Sequence, residues 1–213
     1  MTEKNLLLKC LEAIRKQTRP VQGIYLIDNA STDGTPKLLL EKGYIKELPP
    51  ENLTEPWEKE FEIKNLTDRQ VIKLHYVRMH ENTGGAGGFH EGVKRAYEKG
   101  YDWLWLMDDD VEPLEKALET LLSYKYISKC IHPSKRYSNG SKILWECFLD
   151  ITTGRVIRLY DISFKYGKTF SCVNVGCFEG MLIHRKIVSK IGYPDKIQQY
   201  VQHYLNLYLL FQP

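Results

Sequence analysis

Trp103-Leu104-Trp105-Leu106-Met107 runs directly into Asp108-Asp109-Asp110-Val111-Glu112-Pro113. An apolar run with no polar alternation is the pattern of a strand buried on both faces of a sheet. Three carboxylates at its carboxyl end stand where open α/β sheets collect their ligands. Pro113 suits the first turn of a helix, expected over residues 114–124. Adjacent like charges are unfavourable unless a cation or hydrogen-bond donors compensate. A hard divalent ion such as Mg²⁺ or Mn²⁺ prefers carboxylate oxygens and completes its shell with phosphate oxygens, so the triplet suits a diphosphate ligand. A solvated acidic turn at the start of the following helix accounts for the same residues without a ligand.

Working outward from this strand, the pattern alternates. Residues 4–17 carry Leu7, Leu8, Leu11 and Ile14 on one helical stripe, stopped by Pro20. Residues 23–27 are a short apolar strand ending in Asp28-Asn29-Ala30-Ser31-Thr32-Asp33-Gly34. A helix is expected over 35–42. Residues 43–70, rich in charge and holding Pro49, Pro50 and Pro56, read as a surface insertion, partly helical near Trp57 to Phe61. A strand at 74–78 precedes Glu81-Asn82-Thr83-Gly84-Gly85-Ala86-Gly87-Gly88 and a helix over 89–99. This order implies a mostly parallel central sheet with helices on both faces, Rossmann-like in its first half, in one α/β domain spanning 1–213. Residues 1–125 form a regular first half and 126–213 a second half. The second half is less regular, with strands near 143–148, 156–160 and 172–176 and a helix at 185–191. Residues 197–213 are an aromatic and aliphatic tail without Asp or Glu, read as helical.

The glycine run lets a backbone approach a ligand closely and leaves free N–H groups at the following helix for an anion. No Lys-Ser or Lys-Thr follows, which excludes the ATPase phosphate loop, and the dinucleotide frame Gly85, Gly87 fails at His90. A tight turn is the alternative use. Ser31 to Asp33 suit helix capping, whereas Asp28 lies on the strand side of the turn, toward the same sheet edge as the triplet.

The balance of 30 basic against 27 acidic residues, dispersed along the chain, argues against a nucleic-acid binder. Five cysteines without a CxxC pair argue against zinc and a disulfide framework and for a reducing compartment. No basic-apolar leader opens the chain, and no uncharged apolar stretch reaches the roughly 18 residues of a membrane span. The expected location is cytoplasmic, with the sequons at Asn52 and Asn65 unused.

IDNASTDGT, ENTGGAGGFHEGV and WLWLMDDDVEP, in that order, resemble the successive motifs of family 2 glycosyltransferases of the GT-A fold, and especially the rhamnosyl- and galactofuranosyl-transferase-like branch. The resemblance spans roughly residues 4–195 and implies that 1–125 is a nucleotide-sugar-binding half and 126–213 an acceptor-side half. It implies that Asp28 and Asn29 contact the nucleoside, that Asn82, Gly84, Gly85 and Gly88 lie along the nucleotide, and that Asp108 and Asp109 hold the ribose. Asp108 and Asp110 would hold Mn²⁺ or Mg²⁺, and Phe178 and Glu179 would face the acceptor. The implied substrates are a UDP- or dTDP-linked sugar and a glycan or lipid-linked acceptor, joined with inversion.

The family's usual first strand and its later acidic pair have no counterpart here, so the chain reads as shortened at both ends and no catalytic base is assigned. Asp195 and Glu179 are the nearest substitutes, and His203 the nearest metal-binding histidine. The alternative reading is a non-catalytic nucleotide-sugar-binding or assembly subunit. The tail is expected to pack in the core, with docking on a second copy or at the inner membrane face as the other readings.

Overall fold

The computed structural model describes residues 3–141, 143, 147–158 and 173–196. In chain order the elements are α1 (Glu3–Arg15), β1 (Gly23–Asp28), α2 (Thr35–Glu41), β2 (Trp57–Lys64), β3 (Val71–Arg78), α3 (Gly84–Lys99), β4 (Trp103–Trp105) and α4 (Ala117–Ser123). They continue as β5 (Cys130–Ile131), β6 (Cys147–Asp150), β7 (Arg155–Arg158), β8 (Leu182–His184) and α5 (Arg185–Ile191). The protein is α/β, and the strands form ladders in the orders β1-β3-β2, β4-β8-β5 and β6-β7.

The expected mostly parallel sheet is corrected. Among the described residues β1 with β3 is the parallel pair, while β2 with β3, β4 with β8, β5 with β8 and β6 with β7 are antiparallel. The reason for the first difference lies in residues 43–70. Trp57–Lys64 is a strand and not a helix, and it turns back through residues 65–70 to pair with β3 from Trp57↔Arg78 to Lys64↔Val71. Its sequence WEKEFEIK alternates, placing Phe61 and Ile63 in the core while charges face outward, as suits an edge strand solvated on one face. The stretch is therefore no mere surface insertion: Tyr44, Ile45, Phe61 and Ile63 pack with Leu7, Leu11, Leu39, Ile72, Leu74 and Tyr76.

Asn65 makes the turn. It is fully buried; its Oδ1 accepts from Thr67 N (2.7 Å) and Asp68 N (3.1 Å), and its Nδ2 donates to Gln17 O (3.1 Å). Gln17, also fully buried, donates to Ala13 O and Leu114 O and accepts from Leu118 N at 3.1 Å, tying the end of α1 to the start of α4. That helix begins at Ala117, three residues later than its proline implied, and Leu114 is 83% exposed.

A second core gathers Val93 of α3, Leu104, Leu106, Met181, Ile183 and Val188 around the β4–β8 ladder. On α3, Gly92 approaches Ile27 of β1 while Val93 packs in this second core, so the helix covers strands from both ladders. The expected strand at 172–176 is, among described residues, an isolated bridge of Val175 with Cys147. Of those expected at 143–148 and 156–160, the described parts overlap β6 at 147–148 and β7 at 156–158; residues 144–146 and 159–160 lie outside the described residues. The tail 197–213, with His203, lies outside the described residues, as do the docking readings attached to it.

Candidate functional site

The parallel register sets Asp28 beside Arg78 at the carboxyl ends of β1 and β3. Arg78 Nη1 donates to Asp28 Oδ1 (2.7 Å) and Ser31 Oγ (3.0 Å), Nη2 donates to Ser31 O (2.9 Å), and Tyr76 Oη donates to Asp28 Oδ2 (2.5 Å). Ser31 N also donates to Asp28 Oδ1 at 2.8 Å. Burial and the adjoining Asp28 carboxylate push the Tyr76 phenol up, so it stays protonated as a donor. Asp28 is thus a buried anchor that shapes the loop after β1.

Asn29 binds that strand end to the glycine loop. Its Nδ2 donates to Gly84 O (2.8 Å) and Asn82 Oδ1 (3.1 Å), while its Oδ1 accepts from Thr83 N (3.0 Å) and Thr83 Oγ1 (2.9 Å). Asn82 Oδ1 also accepts from Gly84 N at 2.9 Å. Helix α3 starts at Gly84, five residues before the expected position, because this polar knot fixes the turn that a glycine-rich run could not hold alone. Gly84 sits at φ +69°, in the left-handed region. A Cβ on Gly87 would lie 2.2 Å from Thr83 Oγ1, whereas one on Gly88 meets nothing within 4 Å. One glycine is therefore needed by the fold, and the other leaves an open approach to the first turn of a sixteen-residue helix.

Beyond β4, Asp108 is largely buried and its carboxyl is raised from the ordinary 3.8 to about 6. Loss of solvent is the largest cause, followed by Glu179, Asp110 and Asp109, with Lys135 opposing them. Beneath the triplet, the buried thiol of Cys10 is pushed up to about 12 by burial and by Asp109, Asp110 and Asp108. It therefore serves as a neutral neighbour, donating to Asp108 O at 3.7 Å.

Glu179 joins this acidic group from the segment before β8, where Lys135 Nζ lies 3.4 Å from its Oε2. Phe178, its neighbour, packs its ring against Phe89 of α3 with centroids 4.7 Å apart. Among the described residues, no three His, Cys, Asp or Glu side chains converge enough to hold an ion by themselves. An ion here would take one or two carboxylates from the protein and the rest of its shell from phosphate and water, a familiar arrangement for Mg²⁺.

Asp195, the other candidate acid, lies beyond β8 in the segment that crosses α3, where Pro194 O is 2.6 Å from His90 Nδ1 and Lys196 donates to Glu91. Sequence reasoning missed Tyr76, Arg78, Thr83 and Lys135. The first two follow once the β1–β3 register is known, and Thr83 follows from its place before the glycines. Lys135 lies in an irregular segment with no local signal.

Residues 60–191 match the family described as glycosyl transferase family 2. The galactofuranosyltransferase GlfT1 of Mycolicibacterium smegmatis is 41% identical over 140 residues, covering 63% of this chain and 46% of that protein. GlfT1 of Mycobacterium tuberculosis H37Rv is 24% identical over 200 residues, covering 89% and 54%. The chain thus spans about half the length of these curated relatives. No solved structure matches. No helix among the described residues is long and apolar enough to cross a membrane. With three ordered motifs each following the carboxyl end of a strand, and a family match over residues 60–191, the chain belongs to glycosyl transferase family 2 and is similar to galactofuranosyltransferases.

Proposed function

We propose that this chain forms the donor-binding part, of GT-A type, of an inverting glycosyltransferase that takes a nucleotide-diphosphate sugar, UDP-linked in the first instance, and passes a galactofuranosyl residue to a glycan or lipid-linked acceptor. The names of its relatives supply the sugar. The observation that carries the reading is the Asn29 knot, which locks the end of β1 to the open, glycine-lined start of α3. That helix end offers N–H groups to a diphosphate, and the Gly88 position leaves room for its approach.

Asp28 supports the nucleoside side of the site by holding Arg78 and the Ser31 loop. Asp108 and Asp110 are the carboxylates that would hold Mn²⁺ or Mg²⁺. The rise of Asp108 fits a site built for a cation, because crowded and desolvated carboxyls bind protons when nothing else neutralises them. A divalent ion there would stabilise the departing diphosphate. Glu179 would face the acceptor side, its carboxylate paired with Lys135 and its charge acting on Asp108.

Calorimetric titration with UDP, with and without Mn²⁺, tests the reading on the wild type and Asp110→Ala. Metal-dependent binding lost in the variant is expected. A folded wild type that takes no UDP in either condition sinks the proposal.

A further inference from the structure

One cluster near the site contains chemistry that sugar transfer does not use. Lys135 has a side chain only 10% exposed, and its ammonium lies 2.5 Å from Cys177 Sγ and 3.4 Å from Glu179 Oε2. Cys177 is 5% exposed, and its sulfur is 3.9 Å from the same Glu179 oxygen. An N–H···S hydrogen bond is longer than the ~2.7–3.2 Å of N–H···O, because sulfur is the larger atom. Nitrogen and sulfur here stand closer than that, at the span of two single bonds meeting at one bent oxygen. Glu179 supplies what such a bridge needs, a carboxylate within reach of both groups to receive their protons.

We propose that Lys135 and Cys177 form an oxidation-sensitive covalent bridge, Lys–NH–O–S–Cys, made by peroxide. The lysine ammonium gives a proton to Glu179. A first hydrogen peroxide converts the thiol to a sulfenic acid with loss of one water. A second removes one hydrogen from the sulfenic oxygen and one from the amine as the N–O bond forms, and two waters leave. Sulfur and nitrogen each give up two electrons, and the two peroxides accept all four. Thiol reductants return the free amine and thiol, so the site is a reversible modification. Closing the bridge removes the ammonium that pairs with Glu179 and opposes the rise of Asp108, which couples oxidation to the charge of the candidate donor site.

The assignment is tested by mass, independently of nucleotide binding, so its outcome is separate from the transferase reading. The full chain is exposed to hydrogen peroxide, digested without reductant and analysed by tandem mass spectrometry. The expected product is one linked pair of peptides, joined through Lys135 and Cys177, heavier by one oxygen and lighter by two hydrogens than their sum. Dithiothreitol abolishes it, and Cys177→Ser and Lys135→Arg both lose it completely, with thermal melting confirming that each variant is folded. Wild-type protein that yields only unlinked sulfenic or sulfinic Cys177, or a direct N–S link without the added oxygen, overturns the proposal and needs no variant to do so.

Discussion

Replacing Asp108 by Asn removes an ionisation while keeping size and shape, and the structure sets both sign and scale of the effect. The carboxyl is raised by about two pH units, from 3.8 to about 6, chiefly by burial and then by Glu179, Asp110 and Asp109. At ~1.4 kcal/mol per unit this amounts to ~3 kcal/mol. Partial solvent contact and a high effective dielectric reduce it to ~1–2 kcal/mol. Because the folded-state value lies above the unfolded one, the folded chain holds an extra proton between about pH 4 and 6, and this contribution is lost as pH rises through about 6. At pH 8 without metal, Asp108→Asn should therefore melt higher than wild type by roughly 2–8 °C, at about 2–4 °C per kcal/mol for a chain of this size. At pH 4 the gap should close, since the wild-type carboxyl is then protonated. Paired melting curves across this range provide the assay. A variant that melts at or below wild type at pH 8, or a gap unchanged at pH 4, refutes the argument that the triplet is electrostatically strained.

The two glycines make a paired test: Gly87→Ala drives its Cβ into Thr83 and should lower stability by about 1–3 kcal/mol in denaturant melts, while Gly88→Ala, at an open helical position, should raise it by up to about 1 kcal/mol and weaken UDP binding in calorimetry. Equal effects on stability would remove the distinction drawn between them. Asn29→Ala takes away four hydrogen bonds joining β1 to residues 82–84 and should cost about 1–2 kcal/mol, with hydrogen exchange rising first at the start of α3. His75 is fully buried, stacked on Tyr25 at 4.3 Å, and held below its ordinary 6.5 by burial. Its contribution is intact above that value and lost as pH falls below it, so His75→Phe should lessen the acid sensitivity seen in melts between pH 7 and 5.

What was legible in the sequence was whatever depends on short spacing. Trp103 to Asp110 announced a strand and an acidic end because both signals are local, though the strand is shorter than its apolar run, Trp103–Trp105 with Leu104 alone buried. Asn82 to Gly88 announced a backbone-lined turn for the same reason. The β2 strand was hidden because its alternation in Glu60-Phe61-Glu62-Ile63 is masked by the density of charge around it, and charge is also what an edge strand presents to water. The antiparallel entry of β8 between β4 and β5 could not be read from Leu182 to His184, since three apolar-to-polar residues fit many pairings. Lys135 could not be read at all: its partners lie more than forty positions away, and only the folded chain brings them together.

Asn65 belongs to a glycosylation sequon, Asn65-Leu66-Thr67, yet its amide is spent inside the protein on Gln17 and the turn residues. A sugar attached to that nitrogen during synthesis would have to sit where α1 ends, and the β2–β3 hairpin could not close around it. Production of this chain therefore belongs in a bacterial or cell-free host. A glycan placed on that nitrogen before the hairpin forms would keep β2 from pairing with β3.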